Sequence, residues 1–193
     1  MDWRIYKAIY DVSLHHHWVG SLFHGIEQAS IPFMVVATGA LWFVSRPGGD
    51  RRWKLATGNG FAAAAVAYVL NFVIHSAWDR PRPYEAHTIR HPWSVSTDAS
   101  FPSDHASISL AIAFAVLAID LTAGAVLLVA ALLIAVGRVL IGAHYPSDVL
   151  ASLGVALVAA FVVVRLARPV VDRIVRLVER ISDPLVRPLW RRA

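Results

Sequence analysis

Three ionisable residues follow one another between two long apolar runs: Arg138, then His144 six positions on, then Asp148 four beyond that. Charged and titratable side chains are costly in such surroundings and mark functional sites. An arginine can clamp a phosphate through its planar fork. A carboxylate near a histidine can hold one ring nitrogen protonated, so that the other presents a lone pair for nucleophilic attack. Together the types and spacing point to phosphoryl chemistry. The plainer alternative is an arginine-aspartate pair that fastens two helices, with His144 a bystander.

Two further clusters carry complementary chemistry. Arg80-Pro81-Arg82-Pro83 sets two arginines on a backbone that proline restrains, which preorganises them as phosphate donors. Taken alone, that tetrapeptide is an ordinary anchor at a membrane surface. In Phe101-Pro102-Ser103-Asp104-His105-Ala106-Ser107, Ser103 is placed to cap a helix whose first N–H groups form an anion site, and His105 falls in the first turn. Three adjacent histidines, His15 to His17, point in different directions on a helix and make a poor chelating face.

The elements that must position these groups are membrane helices. Of the 193 residues, 57% are hydrophobic and 16% charged, and the apolar ones gather in blocks that approach the ~20 residues needed to cross a bilayer. The expected fold is all-α, a polytopic bundle of about five transmembrane helices preceded by an amphipathic helix. The spans are expected near 29–45, 58–78, 104–119, 125–141 and 146–164. As one domain, the chain divides into an interfacial helix over 1–27, the bundle over 28–165 and a basic tail over 166–193. The net charge of +5 reads as a topology signal and not as a nucleic-acid surface, because the cations flank apolar runs. The 46–54 loop holds four Lys or Arg and the 165–193 segment eight, so both should be cytoplasmic. Every candidate site residue then falls on the extracytoplasmic face of the plasma membrane. There is no cysteine, hence no disulfide framework, and no signal peptide is evident.

The three clusters in this order resemble the type 2 phosphatidic acid phosphatase superfamily, whose pattern is K-xxxxxx-R-P, then P-S-x-H, then S-R-xxxxx-H-xxx-D. The matching residues are Arg82-Pro83, Pro102-Ser103-Asp104-His105, and Arg138, His144 and Asp148. The runs Pro83 to Thr88 and Asp98 to His105 are similar, more narrowly, to the undecaprenyl-diphosphatases of the bacitracin-resistance type, where aspartate also replaces the usual glycine of the second motif. The resemblance implies a metal-free and cofactor-free phosphatase for an isoprenoid diphosphate, undecaprenyl diphosphate, whose product re-enters cell-wall synthesis. His144 would be the nucleophile, Asp148 its orienting carboxylate and His105 the acid and base. Arg82, Arg138, Ser103, Arg80 and Asp104 would line the phosphate site. Two positions depart from the pattern: His75 stands for its lysine and Gly137 for its serine, which shifts phosphate binding toward the arginines. Asp104 is expected to pair with Arg80 or His87 and to favour a diphosphate over a monophosphate. The same chemistry on phosphatidylglycerophosphate or phosphatidate is the alternative substrate reading. A transporter with a proton relay is the alternative of another class, disfavoured because the inner halves of the spans carry almost no ionisable groups.

Overall fold

A computed structural model describes residues 2–90 and 92–190, and all regular structure among them is helical. The helices are α1 (Asp2–His15), α2 (His17–Val44), α3 (Arg52–Ala77), the single turn α4 (Pro83–Ala86), α5 (Asp104–Leu117), α6 (Leu121–Leu140), α7 (Pro146–Phe161) and α8 (Arg168–Trp190). A π-helical turn at Val162–Leu166 extends α7. Helices satisfy their own backbone groups, which is why apolar runs of this length fold this way in lipid.

Four segments are long and apolar enough to cross a membrane: α2, α3, α6, and α7 with its π turn. The third expected span, 104–119, is observed as Asp104–Leu117 and is not among them. With 14 residues, α5 extends only ~21 Å, less than the ~30 Å hydrocarbon core. It can be short because it is the central helix: Ala106, Leu110, Ala111, Ile112, Ala113, Ala115 and Val116 are all buried among its neighbours α3, α6 and α7. Small side chains permit this close approach. At Gly124, where α6 passes the end of α5, a Cβ would lie 2.2 Å from the Leu117 Cα, so no side chain fits.

The first span also differs from expectation. It begins at His17, and Pro32 lies inside it and not in its first turn. Residues 17–27, assigned by sequence to the interfacial helix, therefore add about three turns to α2 and carry Phe23 and Glu27 alongside α6. The break from α1 falls at His16.

The basic segments meet at one end of the bundle. Val171 and Val175 of α8 are buried in the core, and Trp42 Nε1 donates to Ser182 Oγ at 3.1 Å. Arg51 pairs with Glu179 and Asp172, and the buried Lys54 Nζ lies 2.5 Å from Asp183 Oδ1. Arg52 reaches Asp120 in the α5–α6 connection at 3.0 Å. The tail is thus a docked helix whose acids hold Arg51 and Lys54 of the 46–54 segment. At the opposite end lie α1, the 78–103 segment and the α6–α7 turn, and with them every candidate site residue.

Candidate active site

The α6–α7 turn aims His144 into the bundle. At Gly142 the chain takes φ +82°, and a side chain there would meet the Tyr10 ring at 2.8 Å and the Tyr6 hydroxyl at 3.1 Å. Only glycine combines that conformation with that approach at low cost. The Ala143 and His144 N–H groups then fold back onto the Arg138 carbonyl at 3.1 and 3.2 Å, closing the end of α6. Pro146 opens α7, and Asp148 Oδ2 accepts from Tyr145 N at 2.9 Å.

His144 is 1% exposed. Its Nδ1 lies 2.8 Å from the Ser100 carbonyl oxygen, an atom that can only accept, so Nδ1 carries the proton. Nε2 then holds the lone pair. It faces Arg138 Nη2 at 3.1 Å and Arg82 Nη1 at 3.3 Å, a lone-pair nitrogen flanked by two guanidinium groups of the kind that suits a phosphate. Burial, and then the charges of Arg138 and Arg82, push the His144 pKa well below its ordinary value. A depressed pKa keeps the ring neutral to lower pH, and the charged form appears only below the usual histidine range. The ring-nitrogen chemical shifts of His144 are expected to stay those of the neutral Nδ1–H tautomer down through pH 6.5. A midpoint at or above 6.5 would contradict this electrostatic picture.

The arginines are themselves fixed. Arg82 Nε and Nη2 donate to the Asp98 carbonyl and carboxylate, both at 2.9 Å, and Nη1 also reaches the Ala143 carbonyl at 3.2 Å. Burial would raise the Asp98 pKa, but hydrogen bonding from Ser96 and the Arg82 charge hold it below the usual carboxylate range. Arg138 pairs through Nη1 with Glu27 of α2, which also accepts from Ser94 Oγ at 2.7 Å. Arg138 Nε is buried and has no hydrogen-bond partner among the described residues. A cavity of about 60 Å³ lies between these groups, lined by His75, Arg82, Asp98, Asp104, His105, Arg138 and His144 among others. It has room for a phosphoryl group and none for a lipid chain, being far below the ~300–1,000 Å³ of common ligand pockets.

The other expected site residues are placed as follows. His105 and His144 line the same cavity, from α5 and from the α6–α7 turn. Ser103 takes the N-cap position of α5 but makes no capping bond through its side chain. Its buried Oγ has no hydrogen-bond partner among the described residues, while its backbone N–H and carbonyl both bond Ser152 Oγ, at 3.0 and 3.1 Å. His75 Nε2 lies 3.0 Å from the Pro102 carbonyl oxygen and so donates to the turn that precedes α5. Gly137 is filled from outside: a Cβ there would come within 2.8 Å of the Phe23 ring, so α2 occupies the space a serine would need.

Two expected pairings and one expected placement are corrected. Asp148 does not hydrogen-bond the His144 ring; its Oδ2 is 3.7 Å from Nδ1 and accepts instead from Ser100 Oγ at 2.6 Å. The Ser100 backbone carbonyl orients the ring, and Asp148 orients Ser100. Arg80 does not border the cavity. It donates to Asp148 Oδ1 at 2.5 Å, Ser147 Oγ at 2.7 Å and Asp2 Oδ2 at 2.7 Å, and lies 4.3 Å over the Tyr145 ring. Asp104 pairs with neither Arg80 nor His87; it accepts from Asn71 Nδ2 at 2.6 Å, while His87 stacks on Trp3 at 3.7 Å. Sequence reasoning missed Ser100, Glu27, Asp98 and Asp2. Glu27 gave a signal as an isolated carboxylate in an apolar stretch, and Asp98 and Ser100 lie in the 98–105 run that carries the family resemblance, but neither observation assigned them a role.

Two buried arginines around a lone-pair histidine, set in a phosphoryl-sized cavity at one end of a helical bundle, define a membrane phosphatase. The PAP2 superfamily pattern matches residues 57–171, which include all three clusters, and the chain belongs to that superfamily. Over 190 residues it is 34% identical to the undecaprenyl-diphosphatase BcrC of Bacillus subtilis (strain 168), covering 97% of this chain and 96% of that one. The fold is shared with the crystal structure of Aquifex aeolicus LpxE (TM-score 0.62, 19% identity, 85% of this chain and 94% of that one). It is shared also with a PAP2-type phosphatidylglycerolphosphate phosphatase from Bacillus subtilis (TM-score 0.63, 21% identity, 84% and 82%).

Proposed function

We propose that this protein removes the terminal phosphate of undecaprenyl diphosphate at the extracytoplasmic face of the membrane, releasing undecaprenyl phosphate and inorganic phosphate. The observation that carries the reaction type is the His144 Nε2 lone pair between Arg82 and Arg138. The relative at 34% identity supports the substrate. Clustering of Arg51, Arg52 and Lys54 with α8 at the opposite end supports the sidedness.

In this scheme the terminal phosphate enters the cavity while the prenyl chain stays among the lipids. Nε2 attacks phosphorus in line with the bridging oxygen, and the P–O bond to the lipid phosphate breaks as the P–N bond forms. Arg82 and Arg138, which line the cavity, and the first turn of α5, which brings Asp104 and His105 to it, meet the equatorial oxygens as charge spreads over them, with the buried Ser103 hydroxyl behind that turn. His105 protonates the leaving lipid phosphate, then takes a proton from the water that hydrolyses the phosphohistidine. Asp148, through Ser100, keeps Nδ1–H aligned throughout.

The test is phosphate release by the detergent-purified protein with chelator present, comparing undecaprenyl diphosphate, phosphatidylglycerophosphate and phosphatidate. A kcat/KM at least tenfold higher for the prenyl diphosphate is the expected result. Equal turnover of all three would leave a broad lipid phosphatase, and loss of activity in chelator would overturn a scheme built from side chains alone.

A further inference from the structure

The nucleophile is supported from behind by the first residues of the chain. Asp2, at the start of α1, lies outside the 57–171 stretch that matches the superfamily. Its Oδ2 accepts from Arg80 Nη2 at 2.7 Å and from Ser147 Oγ at 2.5 Å, and its Oδ1 accepts from Ser147 N at 3.2 Å. The last bond satisfies a free N–H at the start of α7, where a carboxylate also suits the helix dipole. From Arg80 the network runs on without a gap: Arg80 Nη1 to Asp148 Oδ1 at 2.5 Å, Ser100 Oγ to Asp148 Oδ2 at 2.6 Å, and His144 Nδ1 to the Ser100 carbonyl at 2.8 Å.

Elsewhere α1 is strapped over the same two segments. Tyr6 donates to the Gly142 carbonyl at 3.3 Å, Tyr10 donates to the Arg90 carbonyl, and Trp3 stacks on His87. None of these other contacts reaches a charged group of the network. Among the described residues of α1, Asp2 is the one seen to bond the charges behind His144 directly; Tyr6 meets them at one remove, through the Tyr145 ring that lies under Arg80.

We propose that Asp2 is a positioning residue for phosphoryl transfer, acting through Arg80, Asp148 and Ser100 to hold the His144 imidazole in line with phosphorus. The inference rests on the reading of His144 as nucleophile. Arg80 sits between two carboxylates, Asp2 and Asp148, and spans them with its two terminal nitrogens. Without the Asp2 charge, the Arg80 fork closes on Asp148 alone and draws that carboxylate away from the Ser100 hydroxyl. Ser100, whose carbonyl sets the imidazole tilt, then loses its side-chain anchor and is left with the bond from its N–H to the Arg80 carbonyl at 2.9 Å, on the same residue that has shifted. Arg82 and Arg138 are untouched, so phosphate binding persists while alignment suffers. Displacements of ~1 Å at a reacting group can cost on the order of 10²-fold in rate.

The test compares Asp2→Asn, which keeps the shape and removes the charge, with Tyr10→Phe, which removes a tie between α1 and the 88–90 segment without touching the network. The substrate is whichever lipid phosphate the wild type hydrolyses, so a wrong substrate assignment does not affect the result. Expected for Asp2→Asn are a kcat lower by about tenfold to a hundredfold, a KM within about twofold, an unchanged melting temperature, and non-additivity with Arg80→Gln. Tyr10→Phe should keep the wild-type kcat. A wild-type kcat in Asp2→Asn, additivity with Arg80→Gln, or equal losses in both α1 variants with a lowered melting temperature would each overturn the proposal. His144→Ala is assayed alongside. Activity there sinks the nucleophile assignment and this inference with it, whereas a dead His144→Ala beside a normal Asp2→Asn sinks this inference alone.

Discussion

His144→Ala is expected to lower phosphate release by at least ~10⁴-fold, the largest effect of any single substitution in this chain, because no other group can take its place in attack. Its Nε2 lies between the two arginines with its lone pair free for attack, and its Nδ1 proton is committed to the Ser100 carbonyl. The accompanying measurement is a rapid-quench experiment with substrate radiolabelled in the terminal phosphate. Wild-type protein should hold an acid-labile, base-stable label, as expected of a phosphoramidate, and His144→Ala should hold none. Stability distinguishes loss of chemistry from loss of fold. The histidine is buried against polar partners, so alanine leaves a small cavity and an unpaired carbonyl, a cost of about 1–3 kcal/mol that a bundle of this size tolerates. Label retained in the variant would move the nucleophile to another residue.

Arg138→Ala is expected to lower kcat/KM by ~10²- to 10³-fold, the range for losing one donor to transition-state charge. It should also destabilise the protein, which His144→Ala does far less. Glu27 is mostly buried and ion-paired to Arg138, so truncating the arginine leaves its carboxylate with Ser94 Oγ and the His24 ring but no arginine, a loss that approaches the ~3–5 kcal/mol of a broken buried pair. The two effects separate in the double variant Arg138→Ala/Glu27→Gln. Neutralising the carboxylate should restore most of the melting temperature and none of the activity. If the double variant recovers activity, Arg138 acts only by balancing Glu27; if Arg138→Ala alone is as stable as wild type, the pair carries no structural weight. Arg138→Lys would keep the charge but lose the fork that serves Glu27, His144 and the cavity at once.

The need for a carboxylate behind His144 was legible, and Asp148 was correctly placed in the first turn of α7, yet the atom that touches the ring is a backbone oxygen. A carbonyl belongs to every residue and has no sequence signature, so Ser100 could not be found from spacing. Arg80 and Arg82 look equivalent in Arg80-Pro81-Arg82-Pro83. The turn between them sends Arg82 into the cavity and Arg80 behind it, to Asp148 and Asp2. Gly137 looked like a missing hydroxyl and is instead where Phe23 of α2 packs.

What the amino-acid sequence determined by itself was the apolar helices, the segregation of basic segments to one end, and the three clusters that converge on the cavity. Each follows from a local rule: an apolar run must satisfy its backbone within itself in lipid, and a titratable residue in such a run needs a reason to be there. What only the tertiary structure decided was which atoms meet. Glu27 on Arg138, Asp98 on Arg82 and Asp2 on Arg80 join residues separated by 111, 16 and 78 positions, the first and last through helices outside the matched region. Those meetings depend on how far α2 extends, how α5 shortens at the centre of the bundle and how the α6–α7 turn folds back. Packing of the whole chain sets all three, and no periodicity within one segment reports them.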